Sequence, residues 1–296
     1  MRARDLKKNG PLWLTVSAIL FAVMALTVRL AGMRGITGSE TTLARFLFGL
    51  LTVAILHYSG VAKVRLRRVP LLATRGITGG IAILLYFAAI SAVRGPGSTP
   101  LTNAVFLGNS YFVYIPLLGA LLIHERLRIS TVAMVIIALG GLYLVVGPDL
   151  HRIRMGDVYG LSAGIMSAVA MVVIRELRKT EPWISVFFSL CIFGTLVALG
   201  GMALEGGVWP DDVGWLLLLV MGISSAAGQL LMTYALKYTG AGEAGVIQMT
   251  TVIYSALAGV LWFGDLFNFR ILMGAGLVMA GAAYISMYGG SATSEP

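Results

Sequence analysis

The chain has a single cysteine, Cys191, and only three histidines, His57, His124 and His151, in 296 residues. One thiol inside an apolar run excludes an internal disulfide framework and reads as a small core residue. The histidines are scattered near helix ends, without the spacing that gathers His and Cys around a metal, so no metal or other cofactor is expected. Charge is also scarce. Asp, Glu, Lys and Arg make up 12% of the residues, against about 25% in a soluble domain. No glycine-rich phosphate loop occurs, which argues against direct use of ATP. No paired His/Asp set and no Ser-His-Asp candidate are present, so an enzyme is not expected.

Apolar residues fill this gap, at 58% of the chain, and the mean hydropathy is +0.88. The 37 glycines suit helices that pack backbone to backbone in lipid. The net charge is +9, and the basic residues read as loops facing anionic lipid head groups. There is no clustered basic soluble face, so the expected environment is a bilayer and no nucleic-acid partner is expected.

Ten stretches are long enough to cross a bilayer, at 11–31, 39–58, 74–93, 101–123, 129–148, 157–175, 183–204, 213–237, 242–263 and 270–288. Arg2, Arg4, Lys7 and Lys8 ahead of the first stretch resemble a signal peptide. The stretch spans a bilayer and lacks a convincing cleavage site, so it is read as a retained first span. With the N-terminus inside, 15 of the 22 Lys and Arg fall on the inside, counting Arg75 among them. Six fall outside, and Arg45 lies within the second span. That bias puts both termini in the cytoplasm. The five tryptophans lie near span ends, as interfacial tryptophans do.

The chain repeats internally. A shift of 140 lays Ala104 on Ala244, Tyr114 on Tyr254, Gly119 on Gly259 and Gly141 on Gly281, and lays acidic Glu125 on acidic Asp265. A shift of 146 aligns the earlier part, with Ala22-Val23 on Ala168-Val169 and Arg29 on Arg175. Two units follow, residues 1–148 and 149–296, with five spans each. Five is odd, so the second unit is inserted upside down, as in carriers that place their substrate between inverted repeats.

The chain resembles the EamA-type ten-helix branch of the drug/metabolite transporter superfamily, with YddG-type amino-acid exporters among the look-alikes. The resemblance rests on the five-plus-five repeat and on Arg45-Phe46 near the start of the second span. Glu125-Arg126-Leu127 closing the fourth span, Gly264-Asp265 closing the ninth, Gly140-Gly141 and Gly281 also carry it. Phe112 and Val252 stand where the family often has proline, and His124 replaces a usual glycine. The resemblance implies an all-α polytopic membrane protein whose ten helices surround a central cavity. Spans one to four and six to nine line that cavity, and spans five and ten lie at the periphery, where they can support a homodimer. It implies a secondary transporter of small organic metabolites, amino acids or similar amphipathic compounds, exporting across the inner (plasma) membrane. The alternative is a flippase or carrier subunit for a lipid-linked or nucleotide-like substrate.

Polar residues inside spans mark candidate site positions. Asn103, Ser110 and Tyr114 share one face of an uninterrupted helix, and the 140 shift carries Ser110 and Tyr114 to Thr250 and Tyr254, and Asn103 to Glu243. They are read as two walls of a cavity or as hydrogen-bonding glue between helices. Gln229 and Thr233, with Ser225, form one face of the eighth span, and Tyr86 adds an amphipathic ring in the third. Arg45 is the most expensive of these residues. It is expected to find a partner across helices, attracting an anionic group, holding an outer gate or anchoring the packing. Glu40 and Glu243 are candidates for proton coupling or gating, or are water-exposed carboxylates near span ends.

Overall fold

In the computed structural model, residues 9–92, 99–123, 129–146, 154–235, 241–265 and 268–288 are described. They form eleven helices: α1 Gly10–Met33, α2 Gly38–Tyr58, α3 Val69–Ser91, α4 Leu101–Gly108, α5 Tyr111–Ile123, α6 Ile129–Val146, α7 Met155–Leu177, α8 Trp183–Glu205, α9 Asp212–Ala235, α10 Ala241–Phe263 and α11 Phe269–Tyr288. Each predicted stretch coincides with a helix except 101–123, which is two. Six helices (α1, α2, α3, α7, α8 and α9) are long and apolar enough to cross a membrane. Large apolar side chains stand exposed around the bundle, among them Ile136, Leu196, Leu257 and Leu272. A surface of that kind belongs in lipid. The protein is a multi-pass membrane protein.

Helix starts follow local chemistry. Asn9 caps α1, accepting the Leu12 N–H at 3.2 Å, and Pro11 and Pro70 sit in first turns where no N–H is needed. Thr37 and Glu40 form a reciprocal capping box on α2. Gly206, at φ +76°, ends α8 in a conformation that a side chain would strain.

Take α4 and α5 together as one segment, so that each half has five. The first segment of either half packs on the third of the other, α1 on α9 and α7 on α3. The first of either half also packs on the other's fourth, α1 on α10 and α7 on α4–α5. Third packs on second in both directions, second on second (α2 on α8), and fifth on fifth (α6 on α11). Within the last pair, Gly141 lies against the Gly274 carbonyl and Gly281 against that of Met134. Gly276 has no neighbour within Cβ reach and lines an apolar crevice beside α10.

Both ends of the bundle are tied across the halves. At the end opposite the termini, Arg34 pairs with Asp211, Ser39 donates to Glu205 at 2.7 Å, and Val208 N–H donates to Glu40 at 2.7 Å. At the end bearing the termini, one oxygen of Glu181 accepts the N–H groups of Arg67 and Arg68 at 2.9 and 2.7 Å, while Arg65 N–H donates to Ser185. Glu181 is buried. Glu181→Ala leaves two N–H groups unpaired and is expected to cost about 2–3 kcal/mol. Its melting temperature in detergent should fall clearly below that of the unmodified protein, and an unchanged melt would show that the clamp carries no stability.

Candidate functional site

Between the halves lies a cavity of about 250 Å³. Its wall takes residues from α1 to α5 and α7 to α10, and none of the described residues of α6 or α11. Helix α3 contributes most, from Arg75 through Gly79, Ala82, Ile83 and Tyr86 to Phe87. At 1.5 Å per residue, that stripe runs about 18 Å along the helix. The α7, α8, α9 and α10 contributors (Ser167, Ala170, Met171, Ile174, Leu190, Gln229, Met232, Gln248 and Thr251) all lie nearer the end of their helix on the side of the termini.

The helix break sits on the cavity wall. After Gly108 the backbone tightens: Ser110 N–H bonds to the Leu107 carbonyl, and Val113 N–H to that of Ser110. The Asn109 amide and Ser110 hydroxyl bend back onto the Val105 and Leu107 carbonyls at 2.8 and 2.6 Å. These side-chain bonds occupy carbonyls at the turn, as a break buried in protein requires. Gly108 is needed for a separate reason, because a Cβ there would run into the Tyr86 ring. Asn109 stands beside the Tyr86 hydroxyl, and both line the cavity. Gly108→Ala must displace that ring. At about 1–3 kcal/mol for overpacking, substrate affinity is expected to fall about tenfold, read as a raised KM for uptake with expression unchanged.

Three of the residues singled out from sequence meet in the cavity: Arg45, Tyr86 and Gln229. The other described ones are not on its wall. The break at Asn109-Ser110 interrupts the helix expected to carry Asn103, Ser110 and Tyr114, yet all three turn to one neighbour, α7. Asn103 is buried beside Asp157 of α7, and Ser110 and Tyr114 lie against Gly164 of the same helix. None of the three is on the wall of this cavity. Thr233 and Thr250 turn their hydroxyls onto their own helix, at Gln229 and Ile247 carbonyls. Tyr254 is half-buried and outside the cavity wall. Ser225 is buried at a side pouch shared with Arg45, Cys191 and Gln229. Glu40 is buried with one oxygen on Thr37 N–H and the other on Val208 N–H, so it is a clamp between halves and not a water-exposed carboxylate. The side chain of Glu243 lies outside the described residues, as does Glu125.

Arg45 finds its partners across helices, but none is acidic. Its guanidinium donates to Met24 Sδ at 2.7 Å and lies 5.8 Å from the Phe87 ring centre. Arg75 was read from sequence as a loop charge. Helix α3 begins at Val69, which puts Arg75 almost two turns inside, on the cavity wall. Its side chain lies back across Gly79, where any Cβ would collide with the guanidinium. Sequence reasoning also missed Asn109, Gln248 and Thr251. The readable signal for the first was the Gly108-Asn109-Ser110 run, three poor helix formers in the middle of an apolar span. Gln248 donates to Ser17 at 3.0 Å, and Ser17 in turn donates to the Gly228 carbonyl, which joins α10, α1 and α9.

A mixed polar and aromatic cavity, enclosed by helices of both halves inside a lipid-facing bundle, is the hallmark of a membrane transporter of small molecules. The chain belongs to the EamA-like transporter family, whose signature matches it twice, over residues 8–147 and 154–287. Its members carry solutes and are not enzymes. The pseudopaline exporter CntI of Pseudomonas aeruginosa is 27% identical over 290 residues, covering 95% of this chain and 97% of its own. An uncharacterized transporter of Archaeoglobus fulgidus is 28% identical over 277 residues, covering 93% and 95%. Human solute carrier family 35 member G1 is 22% identical over 300 residues, covering 94% and 80%. One crystal structure shares the fold, with a TM-score of 0.62 at 20% identity, over 92% of this chain and 96% of its own.

Proposed function

We propose that the protein is a secondary transporter that exports a small organic metabolite across the inner (plasma) membrane by alternating access. In this reading ten spans form two inverted units, residues 1–148 and 149–296, with both termini in the cytoplasm. The observation that carries it is the central cavity, to which the first four segments of each half contribute and the fifth does not. The packing scheme supports two like units, since exchanging the halves leaves the main helix pairs unchanged, and the odd number of spans in each unit is what makes them inverted. The ties at the two ends, Glu40 on Val208 and Glu181 on Arg67 and Arg68, are the contacts that alternating access breaks in turn. Export follows from the named activity of the Pseudomonas aeruginosa relative, and orientation follows from the Lys/Arg bias. Glu40, and Glu243 near the start of α10, remain the candidates for coupling to protons. A second copy, if one binds, meets the α6–α11 pair.

The test is uptake of labelled solutes into proteoliposomes holding the purified full chain, with and without an imposed pH gradient. Saturable flux that the gradient accelerates marks proton exchange. Saturable flux indifferent to it marks facilitated diffusion. Absence of flux for every solute, with folded protein verified, would sink the transporter reading in this form and favour the lipid-linked carrier.

A further inference from the structure

We infer that the central cavity takes a small organic dianion, a dicarboxylate or a phosphate monoester, held between Arg45 and Arg75. This inference rests on the transport reading above and names its substrate class.

Among the described residues, the cavity wall contains two guanidinium groups and no carboxylate. Neither guanidinium has a carboxylate partner among the described residues. Arg45 touches a thioether and an aromatic ring. The Nε of Arg75 is buried without a hydrogen-bond partner, a feature it shares with Arg29 and Arg270, so the distinction lies in the terminal guanidinium nitrogens. The described carboxylates lie near the two ends of the bundle, where the loops and helix caps use them. Arg29 shows what this fold does with an arginine that only holds structure. It is buried near the end opposite the termini, donates to the Ile90 and Thr99 carbonyls at 3.1 and 2.8 Å, and lies over the Phe263 ring. Arg45 and Arg75 receive no such carbonyls.

Arg45 and Arg75 also sit close enough to repel each other, and both lie near the neutral thiol of Cys191. Two like charges brought together in a cavity inside a membrane are costly without a counter-charge, and intramembrane charges of this kind mark a substrate path. Gly79 leaves the space that the Arg75 guanidinium occupies, since a Cβ there would meet it. A guanidinium fork matches the paired oxygens of a carboxylate or phosphate. Two forks ask for two negative charges. A zwitterionic amino acid is a poorer fit, because its ammonium meets two cations and no acid. The volume of about 250 Å³ suits a small solute.

The experiment uses proteoliposomes of the full chain with labelled succinate, glycerol phosphate, lactate, leucine and choline. Thermal shifts with the same solutes are measured in detergent. Succinate or glycerol phosphate should be taken up saturably and should compete with each other. Whichever moves faster tells carboxylate from phosphate. Arg75→Gln should lower that uptake at least about thirtyfold, as loss of a buried charge pair does. Arg75→Lys, which keeps the charge, should retain part of it. Leucine or choline moving while neither dianion competes overturns the inference and leaves the transporter reading intact. Lactate handled as well as succinate overturns the two-charge requirement. If no solute moves, the transporter reading fails and the thermal shift decides the site. Stabilisation by a dianion that vanishes in Arg75→Gln upholds it, and no stabilisation of the unmodified protein refutes it. Should Arg75→Gln fail to fold, Arg75→Lys and dianion competition on the unmodified protein carry the same decision.

Discussion

Arg45→Met is expected to make the empty protein more stable and its transport at least about thirtyfold weaker. The two effects share one cause. Arg45 is half-buried on the cavity wall, its partners are Met24 and the Phe87 ring, and no carboxylate among the described residues pairs with it. A lone arginine at mid-membrane costs about 2.5–3.5 kcal/mol. Water in the cavity lowers that, so about 1–2 kcal/mol is the stabilisation expected when an apolar side chain of similar length replaces it. Transport moves the other way. Truncating one partner of a buried charge pair costs about 2–5 kcal/mol of binding, equivalent to a loss of about thirtyfold or more. A structural anchor gives the opposite pattern, with a lower melting temperature and flux falling only as far as folded protein is lost. Melting in detergent and initial uptake rate, measured on the same preparation, separate these cases.

Gly80→Leu is expected to give the largest loss of stability. Gly76 and Gly80 are one turn apart on α3, on the face turned to α8. A Cβ on Gly80 would lie 2.8 Å from the Gly194 Cα, and one on Gly76 would press on the Ser189 carbonyl and Phe193. The two backbones touch, as small residues four apart allow in lipid. Overpacking costs about 1–3 kcal/mol where side chains can yield, and here the obstacle is backbone, so the cost lies at or above that range. Helix α3 also carries Arg75, Tyr86 and Phe87, so its displacement opens the cavity wall. Gly80→Leu should therefore elute as aggregate or melt far below the unmodified protein. Gly140→Leu is the control, because no atom lies within 4 Å of its Cβ position. Equal behaviour of the two variants would remove the α3–α8 contact as a determinant of assembly.

Much of the fold was legible without coordinates. The length of an apolar stretch is a local property, and in lipid it demands a helix, since no water is present to satisfy free backbone groups. For that reason the helices fall where the ten stretches predicted them, within a few residues. The miss at 101–123 has a chemical origin. Asn109 and Ser110 can satisfy the Val105 and Leu107 carbonyls with their own side chains, so the helix can be interrupted inside protein. A periodicity argument rotates every residue by 100° and carries no term for that alternative. The shared face survives the break all the same, since Asn103 lies beside Asp157 and Ser110 and Tyr114 lie against Gly164, all of them toward α7.

Arg75 shows the same limit from another direction. Whether a basic residue near a span end reaches the head groups or turns inward depends on what its neighbours leave open. Gly79, on the same helix, and α8 across from it leave room on the inner side. Glu40 reads in one dimension as a helix cap and in three as a tie to Val208, a residue 168 positions away. Composition and order along the chain, then, determined by themselves that this is a helical membrane protein built of two similar halves, because burial in lipid and charge bias act on each segment separately. Which polar groups face one another across the centre was decided only by the tertiary structure. That choice depends on how close two backbones come, and Gly76, Gly79, Gly80 and Gly108 set that distance through helices that are remote in sequence.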